Sequence, residues 1–555
     1  MFAHAKNGAI CFTVVALALI GSQVRVAWCR ADDSNGSGPG DLFSISSGPV
    51  DDPDIVASRC IPVVGRELTL SARVRGPGAH PVEVRFLLKA KGEENVVLSA
   101  KAGSQAKSDK KGTYVVYQAT WKPTRTGIYA LTVQVDPASK SGDKITKNNT
   151  ATTTLPVTWR ELHILAWGPQ RQMKWITAAP SPDVPTGGEV QYWHRRGILM
   201  LGYMTVREEH FLNAKEADVV DFTAKLAGRH ASIGCDGLII DETGAYPNAE
   251  GLEFIRRFGV AYDKVREKHP GLRVYNWIAG PLNREELEGA RRNKHILMGE
   301  SYEAIHGRNA PTFPRFLTER VAKLATVNPW EESGPGGIIA LGIGGDCGVT
   351  FRPQIENSVR LCRRLGPDLP GICYYGVPSL EPGKPNERSL QQFLDDLTFR
   401  YFIKPVLSVG ENDIWLENLT PAPSEKVRVH VRVHNVGGVA AGNVEARIYA
   451  RAMSTNDRDL IGKSVIPQIG NGTRVLKEEQ PTVNPYRFMG DTKHPAAVYG
   501  KEVRLFLNQA LIEAAWTPKQ ASYYRLEVEL TPSPDHTILE GFASKVIPVS
   551  TVDEP

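Results

Sequence analysis

Cysteine is scarce: the 555 residues contain seven, with no C-x-x-C pair and no Cys/His spacing suited to a metal. That excludes a disulfide-stapled scaffold and a zinc-ribbon type of site, and no metal is expected. The five cysteines beyond residue 31 (Cys60, Cys235, Cys347, Cys362 and Cys373) are odd in number and widely spread, so buried free thiols are expected. Long apolar runs are missing after residue 21, which leaves no membrane-spanning candidate beyond the N-terminus. A basic stripe is missing too. The net charge is only +5, with Lys and Arg mixed among Asp and Glu, so no nucleic-acid partner is expected. There is no G-x-S-x-G elbow, H-E-x-x-H helix, phosphate loop or dinucleotide fingerprint. The glycine-rich "GIGGDCG" lacks the Lys and Ser/Thr of a phosphate loop, and no cofactor is expected.

What remains is ordinary globular material, 41% hydrophobic and 23% charged. A chain this long holds roughly three domains. The N-terminus reads as an export signal over residues 1–31: Lys6, then the short apolar run Ala9–Gly21, then small residues at Ala27 and Ala31. A retained anchor is the alternative. Cys29 follows the bulky Trp28, which argues against lipid attachment. The expected destination is the periplasm, the cell surface or the medium. Residues 32–50, rich in Ser, Gly and Asp, read as a flexible leader. Nothing in the pattern sets an oligomeric state.

Two flanking stretches, 51–159 and 411–555, alternate apolar with polar residues between Gly, Pro and Asp turns. "ELTLSARVRG", "VEVRFLLKA" and "IYALTVQVD" carry the first, and "VRVHVRVHNVGG", "GNVEARIYA" and "YYRLEVELTP" the second. Period-two alternation with regular turns predicts β-sandwiches. The piece between about Gly470 and Trp516 is irregular and is expected to hold a long loop or short helix.

The middle, 160–410, has a different rhythm. Short apolar strands (His163–Trp167, Ile198–Met204, Gly237–Asp241, Arg273–Trp277, His295–Glu300, Gly337–Gly342, Gly371–Tyr375) alternate with amphipathic helices. Pro405–Val409 is a candidate eighth strand. Strands apolar on both faces, alternating with helices, predict a parallel sheet covered by helices. The length suits a (β/α)8 barrel. A doubly wound open sheet is the alternative, but the first strand ends "AWGPQ" rather than in a phosphate turn.

"GIYALTVQVDP…KNNTATTTLPV" and "VRVHVRVHNVGGVAAGNVEARIYA" resemble the bacterial cell-adhesion-related (CARDB) modules, which are immunoglobulin-like. The resemblance implies spacing, adhesion or substrate presentation, not chemistry. The second module keeps the N-x-G turn of that family and lacks its N-N-x-A. "GCDGLIIDE", Gly234–Glu242, resembles a strand of TIM-barrel glycoside hydrolases whose acidic end binds or cleaves sugar. By that resemblance Asp236 caps the turn before the strand, and Asp241 or Glu242 is catalytic.

In such a barrel the active site lies at the C-terminal strand ends. Those ends carry Asp241, Glu242, Glu300 and Asp346 as candidate catalytic carboxylates, with Trp167, Tyr203, Asn276, Trp277 and Tyr374 as candidate substrate-binding residues. Glycosidic hydrolysis needs one acid to protonate the leaving oxygen and a second carboxylate as base or nucleophile. Flat aromatic faces suit the C–H faces of a sugar ring. If a strand hides in Lys174–Ala179, Asp241 and Glu242 end strand four, Glu300 ends strand six and Asp346 follows strand seven. By the resemblance to retaining glycosidases, many of which use the ends of strands four and seven, that order favours Glu242 as acid with Asp346 as its partner; otherwise Glu300 is the preferred partner. The expectation is an exported protein that hydrolyses a poly- or oligosaccharide. A non-catalytic glycan-binding or adhesion protein is the alternative, and a ligand-free scaffold the third.

Overall fold

The computed structural model describes residues 43–550 except 77–81, 93, 104, 139–140, 142, 144–145, 169, 206–211, 242–248, 281, 283, 303–311, 326, 328–335, 344–350, 378–384, 477–495 and 500–501. The expected signal and leader up to residue 42, and Glu242 and Asp346, lie outside the described residues.

The N-terminal module packs two antiparallel sheets. One pairs Ile55–Ala57 with Leu68–Arg75 and that strand with Gly112–Trp121; the other orders Val96–Ser99, Val84–Lys89, Gly127–Val135 and Thr150–Val157. The predicted alternation is realised residue by residue. Val84, Phe86 and Leu88 are buried in the core while Arg85 and Leu87 are only half-buried.

The centre is a closed barrel of eight parallel strands. They are β1 (His163–Trp167), β2 (Ala178–Pro180), β3 (Leu199–Thr205), β4 (Gly237–Asp241), β5 (Arg273–Ile278), β6 (Ile296–Ser301), β7 (Gly336–Gly342) and β8 (Gly371–Tyr375). β8 pairs with β1 from His163↔Gly371 to Trp167↔Tyr375, which closes the ring and rules out the open sheet. Helices follow each strand from β2 onward: α1 (Gly187–His194), α2 (Glu216–Ile233), α3 (Ala249–Lys268), α4 (Arg284–Asn293), α5 (Thr312–Ala325), α6 (Arg352–Leu365) and α7 (Pro385–Thr398).

Two details correct the strand count. The hidden strand exists as β2, at the end of the Lys174–Ala179 stretch, so Asp241 ends strand four and Glu300 lies at the end of strand six. Pro405–Val409 is not a barrel strand. Val406–Ser408 pairs instead with Val427–Asn435 and Thr537–Glu540 of the C-terminal module. β8 already has both neighbours, so no barrel edge is left for it.

The C-terminal module is again two sheets. One joins Ile414–Leu416, Val427–Asn435, Val406–Ser408, Thr537–Glu540 and Gln509–Trp516; the other joins Arg458–Ile469, Ala441–Ala452, Ser522–Leu530 and Phe542–Val549. The stretch expected to be irregular also holds a small three-stranded sheet, Thr473–Leu476, Glu502–Phe506 and Ala496–Tyr499. Its strands are only four or five residues long, too short to display the alternation. Asn435, at the N-x-G turn, ties this module together. Its Oδ1 accepts from the Val406 and Gly437 N–H groups, and its Nδ2 donates to the carbonyls of Val439 and Gly470.

The N-terminal module closes the barrel's lower end. Cys60 N–H donates to the Gly197 carbonyl at 3.0 Å. Gly197 has φ +71°, and a Cβ there would stand 2.3 Å from the Ala57 carbonyl oxygen, so only glycine permits this approach. Just inside, Arg273 pairs with Glu161, and the His163 ring meets the Tyr275 hydroxyl at 3.0 Å. Among the described cysteines, Cys60, Cys235, Cys362 and Cys373 are free thiols.

Candidate active site at the barrel mouth

Inward and outward positions alternate along each strand. On β5, Tyr275 and Trp277 join the barrel's inner cluster, while Val274 and Ile278 face the helices. The same parity points Trp167 (β1), Tyr203 (β3) and Tyr375 (β8) into the barrel. Glu300 follows Ile296 and Met298 on β6 at the same two-residue step, and Asp241 follows Ile239 on β4.

At the mouth the aromatic rings touch in a continuous arc. Trp167 meets Tyr203 at 5.5 Å between centroids and Trp277 at 5.7 Å; Trp277 meets Tyr375 at 5.1 Å and Tyr302 at 6.5 Å; Tyr302 stacks on Tyr375 at 4.8 Å. Edge-to-face contacts in this range stabilise one another and hold the rings in fixed orientations. The two described carboxylates are set among them. The Tyr203 hydroxyl donates to Asp241 Oδ2 at 2.6 Å. The Trp277 indole N–H donates to Glu300 Oε2 at 3.2 Å. Glu300 is buried, and a buried carboxylate without hydrogen bonds would cost several kcal/mol, so this donor matters to its placement. Arg320 of α5 is near enough for Glu300 to favour its charge, but its hydrogen bonds run to the backbone carbonyls of Ile278, Ala279 and Gly280.

Asp236 has a structural place, but as a tie to the neighbouring strand and helix rather than as the turn cap expected. Its Oδ2 accepts from the Met200 N–H at 2.8 Å and meets the His194 ring at 2.7 Å, fixing the start of β4 beside β3. Those contacts hold its carboxyl below the usual range despite partial burial.

Two expected substrate-binding residues are displaced from the mouth. Tyr374 is fully buried and its hydroxyl bonds Thr398 of α7 at 3.1 Å, on the outer side of β8. Its neighbour Tyr375 takes the inward position. Asn276 likewise faces outward, with Nδ2 3.2 Å from His295 Nδ1 under α3 and α4. Both corrections have one cause: a one-residue error of parity moves a side chain to the opposite face of the barrel wall. Tyr302 went unrecognised because it stands just beyond β6. Counting two residues on from Glu300 would have found it.

Asp241 and Glu300 therefore share one mouth with Trp167, Tyr203 and Trp277, and Tyr302 and Tyr375 complete the arc. Such a set can supply an acid, a carboxylate and flat apolar surface in one place. Among the described residues no cluster of three or more His, Cys, Asp or Glu could hold a metal ion.

No protein-family model matches the chain, and no curated protein matches it in sequence. Solved structures similar to it include CARDB domains and glycoside hydrolases. The CARDB domain of a Pyrococcus furiosus protein, solved in complex with di-metal ions, is 14% identical, covering 27% of this chain and 91% of that one, with a TM-score of 0.17. A Paenibacillus cycloisomaltooligosaccharide glucanotransferase complexed with cycloisomaltoheptaose is 10% identical over 88% of this chain and 72% of that one, TM-score 0.32. A family GH18 chitinase from Chromobacterium violaceum is 11% identical over 43% and 81%, TM-score 0.27.

Proposed function

We propose that this chain is an exported carbohydrate-active enzyme that hydrolyses glycosidic bonds at the barrel mouth. The observation that carries the reading is the placement of Asp241 and Glu300 on inward positions of β4 and β6, each hydrogen-bonded by an aromatic residue of the same arc. Trp167, Tyr203 and Tyr375, the partly exposed rings of the arc, provide the surface on which a sugar ring lies, backed by the buried Trp277 and Tyr302. One of Asp241 and Glu242 works with Glu300 or Asp346, one group protonating the leaving oxygen and the other acting as base or nucleophile. Export is supported by the sequence alone: Lys6, the short apolar run Ala9–Gly21 and the small residues after it. The sandwiches hold the barrel and present it to its polymer.

The test is a screen of the purified full chain on mixed polysaccharides, run beside Asp241→Asn, Glu242→Gln and Glu300→Gln. Release of reducing ends that falls sharply in these variants supports the reading. Activity unchanged in all three overturns the site. A chain that retains polysaccharides on affinity gels yet releases no reducing ends would instead be a glycan-binding protein.

A further inference from the structure

β5 and β6 run side by side with Ile278 opposite Gly299, and each carries one partner of the Trp277–Glu300 hydrogen bond. β5 ends at Ile278, and the carbonyls from there on leave the sheet ladder and need other donors. α5 supplies them. Arg320 Nη1 donates to the Ile278 carbonyl at 3.4 Å, and Nη2 donates to those of Ala279 at 3.4 Å and Gly280 at 2.9 Å. One helical turn on, Lys323 Nζ donates to the Leu282 carbonyl at 3.1 Å. The point charge of a lysine serves one carbonyl here; the planar fork of the arginine spans three in succession.

The stem of the same arginine lies against the other strand. A Cβ at Gly299 would stand 2.9 Å from Arg320 Cδ and 2.8 Å from Leu324 Cδ1. Glycine at this outward position therefore lets α5 rest on the β6 backbone one residue before Glu300. Arg320 is buried, with its guanidinium 5.0 Å from the centre of the Phe316 ring. Burial disfavours the charge and holds its pKa below the usual value, although Glu300 and Glu286 favour it. An apolar side chain of similar volume would fill the space without that cost. Among the described residues its hydrogen bonds all go to main chain, so what the buried cation fixes is backbone.

We infer that Arg320 is a positioning residue of the mouth: its fork holds the carbonyls after Trp277, its stem braces β6 beside Glu300, and together they set the distance at which the Trp277 indole N–H meets Glu300. Only the catalytic consequence rests on the proposed hydrolysis. A reacting group misplaced by about 1 Å can cost about 100-fold in rate. The positioning itself holds whether or not the mouth cleaves sugar.

The reporter is the Trp277 indole N–H, observed by NMR in the full chain with isotope-labelled tryptophan and assigned by its loss in Trp277→Phe. In Arg320→Met its cross-peak should move and its hydrogen exchange quicken by about tenfold or more. The signals of Trp175, stacked on Phe399, and Trp193, in α1, should stay where they are. Arg320→Lys keeps the stem and the charge and gives up the fork; it should shift the Trp277 cross-peak in the same direction by less, and it carries the test should Arg320→Met fail to fold. Gly299→Ala crowds the Arg320 stem without removing it and should reproduce the shift, with the double variant adding little to either single one. On a polysaccharide that the screen finds to be cleaved, Arg320→Met should lower kcat by about tenfold or more with KM little changed. A Trp277 signal unchanged in folded Arg320 variants, or one that changes no more than those of Trp175 and Trp193, overturns the inference. A chain that cleaves nothing yet shows the selective shift keeps the inference and overturns the functional reading.

Discussion

The indole N–H of Trp277 points at Glu300 Oε2 from 3.2 Å, across the gap between adjacent strands β5 and β6. One side chain thus gives its flat face to the aromatic arc and its only polar group to a carboxylate. Trp277→Phe keeps the flat face and deletes the donor. A hydrogen bond to a charged group is worth about 1.5–3 kcal/mol. If the screen finds a polysaccharide substrate, turnover on it is expected to fall by about 10- to 100-fold, with KM changing much less. A change confined to KM would mean that the indole acts only as surface.

Asp241 takes the Tyr203 hydroxyl at 2.6 Å. Asp241→Asn is expected to lower kcat by about 100- to 10,000-fold, the range for removing a general acid or base. Tyr203→Phe should cost much less, about tenfold, because the carboxylate remains and loses one hydrogen bond. Equal losses in the two variants would show that the pair acts as one unit.

The adjacent tyrosines of β8 should differ in sugar binding. Tyr374→Phe removes a buried hydroxyl from Thr398 and should cost about 1 kcal/mol of stability by denaturant titration, leaving sugar binding unchanged. Tyr375→Ala removes a mouth ring packed on Trp167, Trp277 and Tyr302 and should weaken sugar binding as well as lower the melting temperature.

Asp395 of α7 is buried and accepts the backbone N–H groups of Lys174 at 3.0 Å and Trp175 at 2.8 Å. Burial dominates and pushes its pKa up to about 7 from an ordinary 3.8. The folded chain therefore holds a proton that the unfolded chain releases. The stability from this group is full below about pH 4, declines as pH rises, and is gone above about pH 7. Asp395→Asn keeps an acceptor oxygen and should flatten that decline. His163 acts in the opposite sense. Burial lowers its pKa to about 4, so stability falls as pH drops below its ordinary 6.5. The two slopes oppose each other over the same window, so the difference between the unfolding free energies of the wild type and Asp395→Asn from pH 4 to 9 isolates the Asp395 slope. A wild type and Asp395→Asn with parallel profiles would contradict the assignment.

Gly197→Ala would force a left-handed backbone on a residue with a Cβ and drive that Cβ at the Ala57 carbonyl. The strain should cost about 1–3 kcal/mol. Hydrogen exchange should then quicken at the Cys60 amide, whose hydrogen bond to Gly197 depends on this approach. Unchanged exchange there would show that the N-terminal module holds its place by other contacts.

The architecture was legible because its periods are strong. Val84–Lys89 and Val427–Asn435 alternate burial at every second residue, and α3 carries its apolar stripe at three- and four-residue steps. β2 was only suspected because three residues, Ala178–Pro180, are too few to display a period. Val406–Ser408 was misplaced because an apolar strand looks the same whether it closes a barrel or opens a sandwich. In the candidate site, Trp167, Trp277, Tyr203, Asp241 and Glu300 were readable from their positions at strand ends. Asn276 and Tyr374 were not, because residue type carries no parity and strand limits decide which neighbour faces inward.

Val406–Ser408 begins within a few residues of the turn Phe399–Ile403 that follows α7 and is already a central strand of the last sandwich. No slack separates the two bodies. A protease seeking a joint to cut there would find hydrogen-bonded sheet, and tension applied to the final module would reach the barrel through the short turn Phe399–Ile403 rather than be absorbed by a tether. The barrel and its last module would then move as one stiff body.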